Sequence, residues 1–390
     1  MRENMPGRDR VLDYFREKTG ITTGDRLFFS PGRVNLIGEH IDYNGGLVFP
    51  CAIDKGIYAA ASLNNTGKIN LYSTNFPLLQ CSINNNYLEF DKNHGWMNYP
   101  KGVLKNIFEL SGVKSGLDIA FHGDLPDGAG LSSSACIEML TAVIADTLLE
   151  LNIPKLELVK LSQRTENEYI GVNCGIMDQF AIAFGKTNSA ILLNCATLDY
   201  SYAPFNIDGH SLIIINSNKR RELADSKYNE RRAECESALK KLNKFIAADN
   251  LCSVDENDLE LHRDNLTDIE YHRALHVITE NKRTIAAAEA LKRNDLKLFG
   301  RLMISSHLSL KNDYEVTGKE LDTLALTAQK MDFVLGSRMT GAGFGGCVIA
   351  LIEGDNFEKF KKEAGEIYTR ECGLTADFYQ VKISDGTGAI

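Results

Sequence analysis

Hydrophobic positions along this chain change period several times, and each change predicts an element. Val11, Leu12, Tyr14 and Phe15 recur at helical spacing within the first 20 residues. From 27 to 90, short apolar runs alternate with Asn/Gly turns, a β-rich pattern. Helical spacing returns over 99–112, and Leu117–Phe121 predicts a strand. Ala135–Leu151 is apolar on most faces, which predicts a buried helix, and Leu156–Tyr169 an amphipathic one. Ile191–Leu193 and Leu212–Ile215 predict buried strands; the stretch 196–209 between them has little periodicity and sets a soft boundary between lobes 1–205 and 206–390. Charged helical patterning covers 221–245, further helix covers 270–312, and a strand run covers 344–351. Strands and helices alternate without a regular βαβ repeat, so the predicted fold class is α+β. A chain of 390 residues also exceeds one ordinary core.

Charge and composition narrow the function classes. A net charge of -9 argues against a nucleic-acid partner. No apolar run approaches the ~20 residues of a membrane span, and residues 1–6 lack the apolar core of a signal peptide, so a cytoplasmic location is expected. The nine cysteines are scattered, with no C-x-x-C pair, and are expected to be buried thiols.

Against this background one segment stands out. Between Pro31 and Gly46, Arg33, Asn35, Glu39, His40, Asp42, Tyr43 and Asn44 are crowded among glycines. A core strand does not need so many hydrogen-bonding side chains, whereas a pocket for a small polyhydroxylated molecule does. A second glycine-rich stretch, Asp124–Ala135, joins the predicted strand to the buried helix. Gly128 and Gly130 allow close backbone approach, and Ser132, Ser133 and Ser134 lead into the helix, where they are placed to cap it. Free N–H groups and the helix dipole make that terminus an anion site. No lysine follows the serines, so this is not a P-loop. A third loop, Thr340–Cys347, formally matches G-x-G-x-x-G, but helix-like sequence precedes it and a strand run follows, the reverse of a dinucleotide site. It is read either as a turn into a buried strand or as a wall of the phosphate site.

Asp178 lies in a run of small and apolar residues, Cys174–Phe180, and is either a satisfied structural carboxylate or a functional one. Arg231 and Arg232, within Ser226–Arg232, read as a charged helix face; His272, His276 and His307 read as surface or packing residues.

Three motifs in order, Pro31–His40, Gly128–Ala135 and Thr340–Gly346, resemble the GHMP small-molecule kinases, and the first, extended to Gly46, resembles the galactokinase signature within that family. Cys174–Gln179 and Ser226–Tyr228 share the resemblance, which spans about residues 10 to 385; Ile41 replaces a usual threonine. The resemblance implies two α+β lobes with the active site between them, and transfer of phosphate from ATP, with Mg²⁺, to the anomeric hydroxyl of α-D-galactose. It implies that Asp178 is the base and Arg33 the cation beside it. Glu39, His40, Asp42, Gly175 and Tyr228 would contact the sugar; Gly128, Ala129, Gly130, Leu131, Ser132, Ser133 and Ser134 would cradle the triphosphate; Ser134 and Glu166 would hold the metal. Trp96 is placed either near adenine or in the core. The same motifs allow a kinase of N-acetylgalactosamine or arabinose, or a non-catalytic galactose sensor. A monomer or weak oligomer is expected, with ATP and galactose as the small-molecule partners.

Overall fold

A computed structural model describes residues 6–126, 130–219 and 224–390. In chain order its strands are β1 (Arg26–Asn35), β2 (Leu47–Val48), β3 (Pro50–Asn64), β4 (Lys68–Ser73), β5 (Cys81–Asn84), β6 (Gly116–Gly123), β7 (Ser189–Asn194), β8 (Tyr200–Pro204), β9 (His210–Asn216), β10 (Val334–Thr340), β11 (Cys347–Glu353), β12 (Asp377–Val381) and β13 (Gly388–Ala389). The α-helices are α1 (Gly7–Thr19), α2 (Asn98–Ser111), α3 (Ser133–Leu148), α4 (Lys155–Arg164), α5 (Met177–Phe184), α6 (Ala224–Leu242), α7 (Glu256–Leu261), α8 (Asp268–Lys292), α9 (Leu296–Asn312), α10 (Gly318–Ala328) and α11 (Phe357–Cys372). The predicted α+β class holds.

Among the described residues three sheets form, in the orders β13-β1-β3-β6-β4-β5, β10-β11-β9-β12 and β2-β7-β8. Both larger sheets are covered on two faces, and the side-chain period of two divides them cleanly. In the first, Ala60 and Ala120 face Val11 and Phe15 of α1, while Ala59, Ala61, Ile119 and Phe121 face the core that includes α2 and α3. The small alanines let α1 lie close. In the second, Ile213, Ile215, Val348 and Ala350 share a core with α10 and α11, while Leu212, Ile214, Ile349 and Leu351 pack with Phe299, Met303 and Val34. That last contact carries the C-terminal sheet's core against the strand bearing the first motif.

Several expectations change. The aperiodic stretch 196–209 contains β8, whose mostly exposed edge left no alternation to read. The helical region 270–312 breaks at Asn294 (φ 55°), and Asp295 caps α9 by accepting from the Leu298 N–H at 2.9 Å. The amphipathic helix read to Tyr169 leaves α geometry after Arg164 and continues as a π-helical turn, Thr165–Ile170. Before the third glycine loop lies a strand, β10, so the loop is a hairpin between β10 and β11. Buried Ser337, Arg338 and Thr340 disguised that strand as polar sequence. The rejection of a dinucleotide site stands, because a strand still follows the loop. None of the nine cysteines forms a disulfide; Cys51, Cys136, Cys235 and Cys347 are buried as expected, and the other five are half-buried.

Candidate active site

The residues singled out from sequence converge on one cavity of about 350 Å³, lined by Arg33, Glu39, His40, Asp42, Gly175, Asp178 and Tyr228 among others. Arg33 reaches it from β1, whose register against β3 shifts between Pro31 and Gly32; such a bulge re-aims the side chain that follows. Asp178 comes from the first turn of α5, Asp42 from a 3₁₀ turn at Asp42–Asn44, and Tyr228 from α6.

Arg33 and Asp178 form the reactive end. The guanidinium grips the carboxylate bidentately, Nε to Oδ1 at 2.7 Å and Nη2 to Oδ2 at 2.8 Å, and Nη1 donates to the carbonyl of Gly130 at 2.8 Å. Burial alone would push Arg33 down, but the charge and hydrogen bonds of Asp178 more than reverse it, and the group stays charged. Ser132 was expected to cap α3. Instead its backbone is left-handed (φ 63°) and its hydroxyl donates to Asp178 Oδ2 at 2.5 Å. One arginine thus couples the carboxylate to the loop read as a phosphate cradle.

The other end of the cavity suits a sugar. Glu39 accepts from Asn35 Nδ2 at 2.7 Å and from the Gly341 N–H at 2.8 Å, so its oxygens are aimed. His40 lines the cavity, yet both ring nitrogens are engaged. Nε2 lies 3.1 Å from the Ala342 carbonyl, which can only accept, so that nitrogen carries the hydrogen and Nδ1 accepts from the Tyr43 hydroxyl at 2.9 Å. Burial pushes the His40 pKa down to about 3, which keeps the ring neutral. Its face, 5.5 Å from the Tyr228 ring, is what it offers to the cavity. Burial also holds the Tyr228 hydroxyl well above its usual range, so it stays a donor. A side chain at Gly175 would displace the Asp42 carboxylate: a Cβ would stand 2.2 Å from Asp42 Oδ2.

Asp42 carries a pH prediction. Burial first, then the charges of Asp178 and Glu39, push its carboxyl up to about 6. An acid with a raised pKa is ionised only above that value, so acceptance of sugar hydroxyls is present above pH 6 and lost as pH falls through it. The KM for the sugar, measured at saturating ATP, is expected to rise about tenfold per pH unit below 6. Asp42→Asn should flatten that profile; a wild-type KM constant from pH 5 to 8 would remove Asp42 from the binding set.

Glu166 is buried, contrary to an ordinary exposed helix carboxylate. Burial and the charge of Asp178 raise its pKa; Ser134, Cys174 and Gln179 hydrogen-bond to it, Gln179 Nε2 at 2.8 Å. Gln179 also donates to Glu138 at 3.2 Å, whose other oxygen is buried without a partner. A hydroxyl and a carboxylate side by side fit a Mg²⁺ that keeps most of its shell from phosphate and water oxygens, and a cation there would oppose the rise in Glu166's pKa. Gly128 and Ala129 lie outside the described residues. Leu131 is buried, and its carbonyl accepts from the Arg33 N–H at 3.4 Å; Ser133 is exposed at the start of α3.

Sequence reasoning missed other contributors. Gly171, Val172, Asn173, Cys174, Met177, Asn229, Gly341 and Ala342 also line the cavity. The third glycine loop, through Gly341 and Ala342, bonds the sugar motif at Glu39 and His40; five of its residues have positive φ (Gly341, Gly343, Phe344, Gly345, Gly346), and its glycines were the signal in the sequence. Arg231 is no solvated helix charge: it is buried, with Nε donating to the Tyr314 carbonyl at 2.7 Å. Its neighbour Arg232 pairs with Glu236 on the exposed face, as read. Trp96 is half-buried and meets Phe121 edge-on at 5.7 Å.

Comparison with known proteins agrees with this arrangement. Residues 13–63 match the galactokinase galactose-binding signature, 98–186 the GHMP kinases N terminal domain and 287–369 the GHMP kinases C terminal domain. Galactokinase of Clostridium perfringens (strain SM101 / Type A) is 50% identical over 365 residues, 92% of this chain and 94% of that protein. That of Ligilactobacillus salivarius (strain UCC118) is 49% identical over 384 residues, 97% of each. The crystal structure of Lactococcus lactis galactokinase complexed with galactose superposes with a TM-score of 0.93 at 45% identity, covering 97% of this chain and 98% of that one. Methanococcus jannaschii mevalonate kinase, at 20% identity, covers 94% of this chain and 100% of that one with a TM-score of 0.67 and shares the fold alone. With signature, length and fold all matched, the chain belongs to the galactokinase family of GHMP kinases.

Proposed function

We propose that this chain transfers the γ-phosphoryl group of ATP to the anomeric hydroxyl of α-D-galactose, giving galactose 1-phosphate and ADP. The observation that carries the reading is the Arg33–Asp178 clasp at one end of a cavity whose other end presents Glu39, Asp42 and Tyr228. Phosphoryl transfer asks mainly for positioning and charge neutralisation. Asp178 accepts the anomeric O–H and aims its oxygen. Arg33, clamped to Asp178 and to Gly130, holds the acceptor carboxylate against the phosphate loop. Gly128–Ser134 and the start of α3 receive the phosphates with backbone N–H groups and hydroxyls. Ser134 and Glu166 would hold a Mg²⁺, which when bound neutralises phosphate charge. Glu39 and Asp42 each accept from sugar hydroxyls, and Tyr228 donates.

No helix among the described residues is long and apolar enough to cross a membrane; a cytoplasmic monomer or weak oligomer is the accompanying reading. Lobes 1–205 and 206–390 are supported by their separate large sheets, with β13 crossing back to the first.

The test is ADP release over a panel of galactose, its deoxy analogues, its 4-epimer, N-acetylgalactosamine and arabinose, with the product's phosphate position read by NMR. A site built to hydrogen-bond a hydroxyl rejects the analogue lacking it by up to ~10⁴-fold. Loss of that order in kcat/KM is expected for analogues altered where Glu39 and Asp42 accept. Equal rates across the panel would defeat the assignment, and preference for N-acetylgalactosamine or arabinose would reassign the sugar.

A further inference from the structure

The sugar motif is held in shape from outside itself. Between Asn35 and Leu47 the backbone forms little regular ladder, and it turns through left-handed conformations at Gly38 (φ 94°), His40 (φ 62°) and Gly45 (φ 74°). Three of its backbone polar groups are met by α8, a helix the galactose-binding signature does not include. His276 Nε2 lies 3.1 Å from the Glu39 carbonyl, Glu280 Oε1 accepts from the Gly38 N–H at 3.0 Å, and Asn281 Oδ1 accepts from the Leu47 N–H at 2.9 Å. His276 and Glu280, four residues apart, share one face of the helix, and Asn281, the next residue round, reaches Leu47 from beside them.

His276 and Glu280 are completely buried. A buried carboxylate costs free energy unless it is fully partnered. Glu280 is bonded by Gly38, by Ser306 at 2.5 Å and by Arg283 at 2.7 Å. From the other side Arg338 donates to the Asn35 carbonyl at 3.1 Å and to Glu39 Oε1 at 3.3 Å. Two of the three α8 contacts land on backbone at or beside Glu39, and the third holds Leu47, where the motif ends and β2 begins; simple packing of a helix would not require them.

We propose that His276, Glu280 and Asn281 of α8 are positioning residues that set sugar recognition by fixing the backbone from Gly38 to Leu47. They touch no substrate; they decide where the carboxylates of Glu39 and Asp42 point. The proposal rests on the galactokinase reading of the cavity.

The experiment uses Asn281→Ala, half-buried and therefore tolerant of change, Asn281→Asp, which keeps an acceptor, and Glu280→Ala. Galactose KM, ATP KM, kcat, galactose Kd by calorimetry and Tm are measured on each. Loss of one half-buried hydrogen bond should raise galactose KM and Kd by about fivefold in Asn281→Ala, with ATP KM changing less than about twofold. Asn281→Asp should recover most of that loss. Glu280→Ala, where it folds, should raise galactose KM by about tenfold or more. Galactose and ATP constants that rise together, or a lowered Tm with unchanged galactose binding, would overturn the proposal. Wild-type protein that fails to turn over galactose would instead defeat the functional reading, so the two failures are distinct.

Discussion

Asp178→Asn is expected to lower kcat by about 10³-fold, within the range for losing a positioned proton acceptor, while galactose Kd changes little. The substitution is nearly isosteric, but an amide nitrogen would replace an oxygen that now accepts from Arg33 or Ser132. One of those donors would face another donor. The enzyme would therefore lose both the acceptor for the anomeric proton and the fixed direction of the side chain. Because phosphoryl transfer has a loose transition state, with the proton leaving late, we expect orientation to matter as much as proton removal. Rapid-quench turnover and calorimetric galactose binding separate the two effects. A variant that binds galactose normally and keeps most of its turnover would remove Asp178 from the reaction.

Arg33→Ala should damage turnover more than affinity: kcat down by about 10²–10³-fold, the scale for removing a preorganised charge, with galactose Kd weakened by less than about tenfold. Arg33 bridges Asp178 and Gly130, 145 and 97 residues along the chain from it, Asp178's carboxylate having one fork of the guanidinium and Gly130 another donor. Its loss frees the carboxylate and leaves the Gly130 carbonyl without that partner. Arg33→Lys should be nearly as harmful, because an ammonium cannot reproduce a planar fork. The reverse pattern, intact kcat with weakened sugar binding, would place Arg33 among the sugar ligands.

Much of the site was legible because its chemistry is concentrated in short segments. Arg33, Glu39, His40 and Asp42 fall within ten residues, and a turn crowded with polar side chains is visible without coordinates. The strands and helices that carry long apolar runs, such as β9, β11 and α3, were equally readable. What could not be read is partnership across the chain. The Arg33–Asp178 clasp joins positions 145 residues apart, and no local pattern reports it. Ser132 looks like a helix cap in sequence; its actual partner lies 46 residues away. β10 hid because three of its five buried positions are the polar Ser337, Arg338 and Thr340; Arg338 is met by Ser306 of α9, the Asn35 carbonyl and Glu39, and Thr340 by the Asn35 carbonyl. Arg231 hid for the same reason, since a buried arginine and a solvated one are spelled alike.

The strand that bears Arg33 has a neighbour made very late. β13 pairs with β1 through Phe28 and Phe29, the Ile390 N–H donates to the Leu27 carbonyl at 3.0 Å, and the buried hydroxyls of Ser30 and Thr387 meet at 2.8 Å across 357 residues. During synthesis the outer edge of that sheet stays open until these residues emerge from the ribosome, and an open edge is a template for mispairing. Vectorial biosynthesis therefore delays completion of this half until translation has passed the entire other half. A fragment stopped near residue 205 would carry most of the reactive groups yet lack its last strand, so the gene cannot be cut between the lobes without exposing that edge.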